Sequence, residues 1–357
     1  MAAANVSWTQ PEIPMPNIYP LDWHVDDSRF LKAYEGSKKR AWNPSDLPWA
    51  DLDGGQFSRE ERLAIAYKEI LGAMFEYAAA PQFLLPLHKL YEEHEEHGMI
   101  LLCMATAKDE FVHEEFLKTA AQRMIPGFPF NWKPKTELEQ LAVENLRWVE
   151  WKQGKMWPRY REKILLGENP WLLQVSIMAP EIVAMEVFRA IAENAPSEAL
   201  RRGYKNVDTD EARHVAFGRL TFEKRARQHP LSDEAKRFIA KLASDGIMYS
   251  IAMNGLPGLI EEDDPDNYWL RPRDLMPPRF LEIHRRLLSL ALKLETGYSE
   301  EEIWERARPA VRKVKWVLEQ NGIKDFETDL PVFRAFQVDA REKGIVEDYS
   351  LAGINEA

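Results

Sequence analysis

Two short stretches constrain this chain more than any other feature: Lys108-Asp109-Glu110-Phe111-Val112-His113 and Asp208-Thr209-Asp210-Glu211-Ala212-Arg213-His214. Each places a Glu three residues before a His, with an Asp directly before the Glu. On a helix, residues three apart leave the same face, so each stretch presents a carboxylate and an imidazole on adjacent turns. Such a pair can close on one cation. One Glu-x-x-His means little in a Glu-rich chain. Here, however, only 8 His occur, and His113 and His214 alone have a Glu at that spacing. Both lie in apolar-striped, helix-predicting sequence.

The 357 residues, 45% hydrophobic and 29% charged, suit a globular protein with one large core or two ordinary domains. The net charge of -11 argues against a nucleic-acid partner, which needs a basic face. No apolar run approaches the length expected of a membrane span, and Met1 to Pro16 lacks the basic start and apolar core of a secretory signal. A single Cys, Cys103, excludes an intramolecular disulfide, so a cytoplasmic location is expected. The 12 Trp are many, and no motif accounts for them.

The chain reads as all-α. Residues 1–57, rich in Pro, Trp and Asp, show little helical periodicity and predict an extended arm packed on the main body. Ser58 with Glu61 is a capping box that opens a long helix toward His88, with a kink or an end to its regular part expected at Pro81. Glu92 to Gly98 reads as a solvated polar corner; His94 and His97 stand three apart there, with nothing apolar to enclose them. The next helix runs from about Met99 to Arg123, and Thr136 with Glu139 opens another. Asn169-Pro170 caps a helix from Trp171 to about Ala192, and Ser197 opens the one that carries Glu211 and His214 to near Gln228. Residues 58–228 thus form a bundle core. Residues 229–357 add C-terminal helices to the same domain, from Ser232 to Asn254, from about Arg279 and from Ser299, with an acidic loop at Glu261 to Asp266 and one short helix after Gly322.

Two more carboxylates can be sought by depth. Groups on antiparallel helices meet when they lie equally far from the connecting corner. Glu211 lies 14 residues after Ser197, and Glu181 lies 13 before Asn194, whereas Glu186 lies only 8 before it. At about 1.5 Å per residue, Glu181 and Glu211 are both roughly 20 Å from the corner, and Glu186 is about 9 Å too shallow. In the other pair, Glu110 lies 13 residues after His97 and Glu76 lies 12 before His88. The expected donors are therefore Glu76, Glu110, His113, Glu181, Glu211 and His214. Four carboxylates and two imidazoles suit iron or manganese. Asp109 and Asp210 are expected to hold the outer N–H of the imidazoles, Asp210 serving His113 across the bundle, with Arg213 neutralising them and Glu186 in reserve. Cys103 reads as buried packing. Ala78, Ala79 and Ala80 beside Glu76 leave room for a substrate, lined by Phe75, Phe111, Leu117, Met185 and Phe217.

The stretch Asp210-Glu211-Ala212-Arg213-His214-Val215-Ala216-Phe217-Gly218 resembles the last ligand helix of the ferritin-like di-iron superfamily, within it the ribonucleotide-reductase small-subunit-like group. Two Glu-x-x-His helices and two lone Glu helices are the pattern of such proteins. The resemblance covers about Ser58 to Gln228. It implies a ferritin-like four-helix bundle with added helices and a di-iron or manganese–iron centre. It also implies oxidation of a small or mostly apolar organic substrate by dioxygen, with an outside electron donor and a possible homodimer. Amine N-oxygenation, radical generation for another enzyme and non-catalytic metal binding are the alternatives.

Four departures from relatives narrow this. Leu117 stands where the reductase subunit has its radical tyrosine, so oxidising power is expected to pass to a substrate rather than to a side chain there. Ser176 and Ala79 occupy the crosslink positions of the ligand-binding oxidases and cannot form that link. Val207 replaces the seventh ligand of the arylamine N-oxygenases. Met185 stands where the multicomponent monooxygenases have a threonine.

Overall fold

The computed structural model describes residues 26–52, 54–160, 172–253 and 277–323. The first part of the expected arm, the Asn169-Pro170 cap, the acidic loop and the segment after 323 lie outside the described residues. Within them the chain is all-α, with nine helices and no strand. These are α1 (Ser28–Lys39), α2 (Arg59–Glu92), α3 (His97–Met124), α4 (Glu137–Tyr160), α5 (Leu172–Asn194), α6 (Glu198–Gln228), α7 (Asp233–Met253), α8 (Pro278–Thr296) and α9 (Glu300–Gln320).

Local chemistry sets most of the starts. Ser58 accepts from the Glu61 amide while Glu61 reaches back to Ser58, and Ser299 and Glu302 do the same at α9. Each box satisfies donors that a helix start leaves unpaired. Antiparallel α2 and α3 pack side by side, as do α5 and α6, and α3 leans on α6. The fourth side is different: α2 and α5 make few close approaches. Helices α7, α8 and α9 pack around α5, and α8 also lies along α2 and α4.

The structure corrects or refines expectation in four places. First, the arm is not wholly extended. Asp27 caps α1 by accepting from the Arg29 amide, and Phe30 and Ala33 bury α1 against α3 and α6. Second, the corner before α3 is not solvated throughout. Glu96 is fully buried and accepts from the Asp26 and Asp27 amides at 3.1 and 2.8 Å and from Lys224 Nζ at 2.9 Å. Third, of the kink or end expected at Pro81, no end occurs: α2 continues past Pro81 and Pro86, as α5 continues past Pro180. Fourth, α2 is long and apolar enough by composition to cross a membrane. Its Lys68 and Glu69, however, are buried against partners from α6 and α8, as in the core helix of a bundle.

Candidate metal centre

All six expected donors converge in the middle of the four helices. Donor atoms of Glu76, Glu110, His113 and Glu211 lie within 4.8 Å of one another, and so do those of Glu110, Glu181, Glu211 and His214. Glu110 and Glu211 are common to both groups. His113 Nδ1 faces Glu211 Oε1 at 3.3 Å and Glu76 Oε2 at 3.6 Å. His214 Nδ1 accompanies Glu211 Oε2 at 2.9 Å, Glu110 Oε1 at 3.2 Å and Glu181 Oε1 at 3.8 Å. The two imidazoles stand side by side, with ring centroids 5.8 Å apart.

The outer nitrogens meet the two Asp residues. His113 Nε2 lies 3.2 Å from Asp210 Oδ2, and His214 Nε2 lies 3.7 Å from Asp109 Oδ2, beyond hydrogen-bond length. Arg213 bridges the two carboxylates, donating to Asp109 at 3.1 Å and to Asp210. Glu186 is in neither donor group and pairs with Arg189 at 2.8 Å.

Sequence reasoning missed two residues here. Trp42 donates its indole N–H to Asp210 Oδ2 at 2.8 Å and stacks over His113 with centroids 6.5 Å apart. Phe83 packs against the His214 ring at 5.9 Å. The Trp-rich composition was a signal that aromatic groups serve the interior, but nothing local in Trp42-Asn43-Pro44 points at a residue 168 positions away.

The expected substrate lining is only partly assembled. Leu117 and Met185 are buried, and Phe75 and Ala79 are half-buried. Phe217 is buried against Phe30 of α1, ring edge to face at 6.4 Å. Phe111 is a correction: it is 43% exposed. Its neighbour Glu110 points inward, and adjacent helix positions diverge by about 100°, so Phe111 turns outward as Tyr77 does beside Glu76. The donor set itself is least covered at Glu76 and Glu181, whose side chains are 13% and 14% exposed while both imidazoles are fully enclosed. These two carboxylates belong to α2 and α5, the pair that scarcely touch. Cys103 is buried, donates to the Phe83 carbonyl at 3.3 Å, and has its thiol pKa pushed up by burial, as expected of packing.

Electrostatics describe a site that wants positive charge. Burial, reinforced by neighbouring carboxylates, holds Glu110 and Glu181 well above the ordinary carboxylate range. Burial works the same way on Glu211, but the charges of His214 and His113 overcome it and draw Glu211 down to about 2. Against burial, the surrounding carboxylates raise both His well above their ordinary value: Asp210, Glu211 and Glu76 for His113, and Glu211, Asp109 and Glu110 for His214. Asp109 and Asp210 are lowered, burial again opposing. The protein alone thus balances the cluster with protons. Even so, Glu181 Oε2 has no hydrogen-bond partner, and Glu110 Oε1 and His113 Nδ1 meet their neighbours without hydrogen-bond geometry. A buried polar atom left so costs about 1–3 kcal/mol, and a cation between these atoms would relieve that cost. The donor set therefore fits one or more oxygen- and nitrogen-binding cations. No family model, curated protein or solved structure matches this chain.

Proposed function

We propose that the chain is a dioxygen-activating dimetal oxidase or oxygenase of the ferritin-like kind, holding an iron–iron or manganese–iron pair and acting on a small or mostly apolar organic substrate. The observation that carries this reading is the pair of donor groups sharing Glu110 and Glu211. Two cations held side by side need bridging carboxylates, and four carboxylates offset the charge of two divalent ions. Glu76 and His113 would complete one position, and Glu181 and His214 the other.

When bound, such a pair supplies reducing electrons and open coordination positions for dioxygen. The chain's own residues do the rest. Asp210 fixes the His113 ring by holding its Nε2, Trp42 holds Asp210, and Arg213 keeps both Asp residues charged. Phe83 and Trp42 cover the imidazoles and keep water from that side. The less covered α2/α5 side, at Glu76 and Glu181, is the approach for a substrate, with Met185, Leu117 and Ala79 as apolar lining. Val207 is buried where an N-oxygenase would place a further ligand, so the amine reading has no donor there.

The test is to load the protein anaerobically with ferrous ion, alone or with manganous ion, measure bound metal, then admit dioxygen and follow its uptake. Two ions per chain and uptake above free-metal controls are expected. Retention of no more than trace metal would overturn the whole reading. Two ions without uptake would leave a metal-binding protein and overturn the oxidase.

A further inference from the structure

A second buried ionic cluster lies beside the donor set and has no part in holding metal. Lys68 and Glu69 of α2, Tyr204 of α6 and Glu295 of α8 are all buried. Lys68 Nζ donates to Glu69 Oε1 at 2.8 Å and to the Tyr204 hydroxyl at 2.7 Å, and lies 2.6 Å from Glu295 Oε2. The Tyr204 hydroxyl in turn donates to Glu69 Oε2 at 2.8 Å.

The location is specific. Glu69 precedes Glu76 by 7 residues, and Tyr204 precedes Glu211 by 7. Seven residues are two turns, so both groups share the face of a metal-site carboxylate, about 10 Å along the axis. Packed rings fill the interval. Phe116 meets Tyr204 at 5.3 Å and Trp42 at 5.8 Å, and Trp42 stacks over His113. A purely structural role explains this poorly. Buried ion networks are often no more stabilising than the apolar residues that could replace them, and stability alone does not call for a phenol aimed at a carboxylate.

We propose that Tyr204 is a redox-active residue that gives one electron to the oxidised metal pair and its phenolic proton to Glu69 in the same step. This rests on the dioxygen reading above, dioxygen being the oxidant that first oxidises the pair. The balance is complete: the Tyr204 O–H bond breaks, an O–H bond forms on Glu69, and the pair gains the electron. A neutral phenoxyl remains, still accepting from Lys68. Burial and the nearby Glu69 and Glu295 hold the phenol well above its ordinary range, so it stays protonated until it is oxidised. Leu117 leaves no oxidisable side chain four residues after His113, and Tyr204 supplies one from another helix.

The experiment uses the full chain made with ring-deuterated tyrosine, loaded with ferrous ion, mixed with dioxygen and freeze-quenched for electron paramagnetic resonance. A transient tyrosyl signal narrowed by the deuterium is expected, lost in Tyr204→Phe and kept in Tyr77→Phe. Replacing Tyr204 by 3-fluorotyrosine, which preserves the packing, should add a fluorine splitting. Glu69→Gln should slow radical formation about a hundredfold, the lower range for a positioned proton acceptor. An unchanged signal in Tyr204→Phe, or no signal while dioxygen is consumed, overturns the proposal. If no dioxygen is consumed, the oxidase reading fails instead, and a photogenerated ruthenium(III) oxidant supplies the hole. A component of the signal lost in Tyr204→Phe then supports Tyr204 as the internal donor, and an identical signal overturns it.

Discussion

Glu110 and Glu211 each face both imidazole-bearing halves of the centre, so no single donor acts alone. The Asp residues behind the imidazoles make the sharpest test of this. Asp210 touches His113, Trp42 and Arg213 at once. On the proposed reading, Asp210→Asn should weaken metal binding by about 10–100-fold, the usual effect of removing a carboxylate behind a ligating imidazole. A competitive chelator titration measures it. Glu181→Gln should weaken binding on the His214 side, while Glu186→Gln should leave it unchanged, because Glu186 serves Arg189. The convergence of the six candidate donors was readable from spacing and depth, since helix periodicity fixes which residues share a face, and the Asp210–His113 pairing from the carboxylate that a ligating imidazole usually finds for its other N–H. Trp42 and Phe83 were not, because contacts between distant segments leave no local pattern. Glu69, two turns from Glu76 on the same helix, has its place beneath the centre, and only its contact with Tyr204 of α6 shows it.

Among the elements, α1 shows what the sequence conceals. It is short, with five of its 12 residues charged, so its apolar stripe is too brief to stand out from the Pro- and Trp-rich segment around it. Three helices, α2, α4 and α9, declared themselves through capping boxes at Ser58, Thr136 and Ser299, where two side chains three apart must cooperate. The seat of α1 depends on one missing side chain. A Cβ on Gly98 would lie 2.8 Å from the Leu31 backbone nitrogen, and backbone cannot swing aside as a flexible side chain can. Gly98→Ala should therefore lift α1 from α3 and destabilise the fold by about 1–3 kcal/mol, read from the denaturant midpoint. The arm has a further hold: Asp51 accepts from Ser197 Oγ at 2.8 Å and so finishes the start of α6. Displacing α1 should leave that second anchor in place.

For the molecule as a whole, the metal-free protein carries a pH dependence of definite sign. Glu110, Glu181, His113 and His214 are raised, and Glu295 is raised to about 8. Their stabilisation is complete below the unfolded values, about 4.3 for Glu and 6.5 for His, and is lost as pH rises through the folded ones. Glu211, at about 2, with Asp109 and Asp210, acts oppositely, losing its contribution as pH falls below about 4. Calorimetry with a chelator present should show the melting temperature declining from about pH 5 to 8. On the proposed reading a bound metal would displace the same protons, so loading should reverse the trend and release acid into a weakly buffered solution.

The division of donors between helix pairs also bears on how the molecule is put together. Glu76, Glu110 and His113 lie on the α2/α3 hairpin, which is synthesised first, and Glu181, Glu211 and His214 on the α5/α6 hairpin that follows. Each donor group borrows from both hairpins. A bound ion would therefore act as a staple across the seam where α2 and α5 scarcely touch, and the nascent chain could not close either position until α6 had emerged. Amide hydrogen exchange should then slow on loading chiefly along α2 and α5, while the faces already packed between α2 and α3 change little.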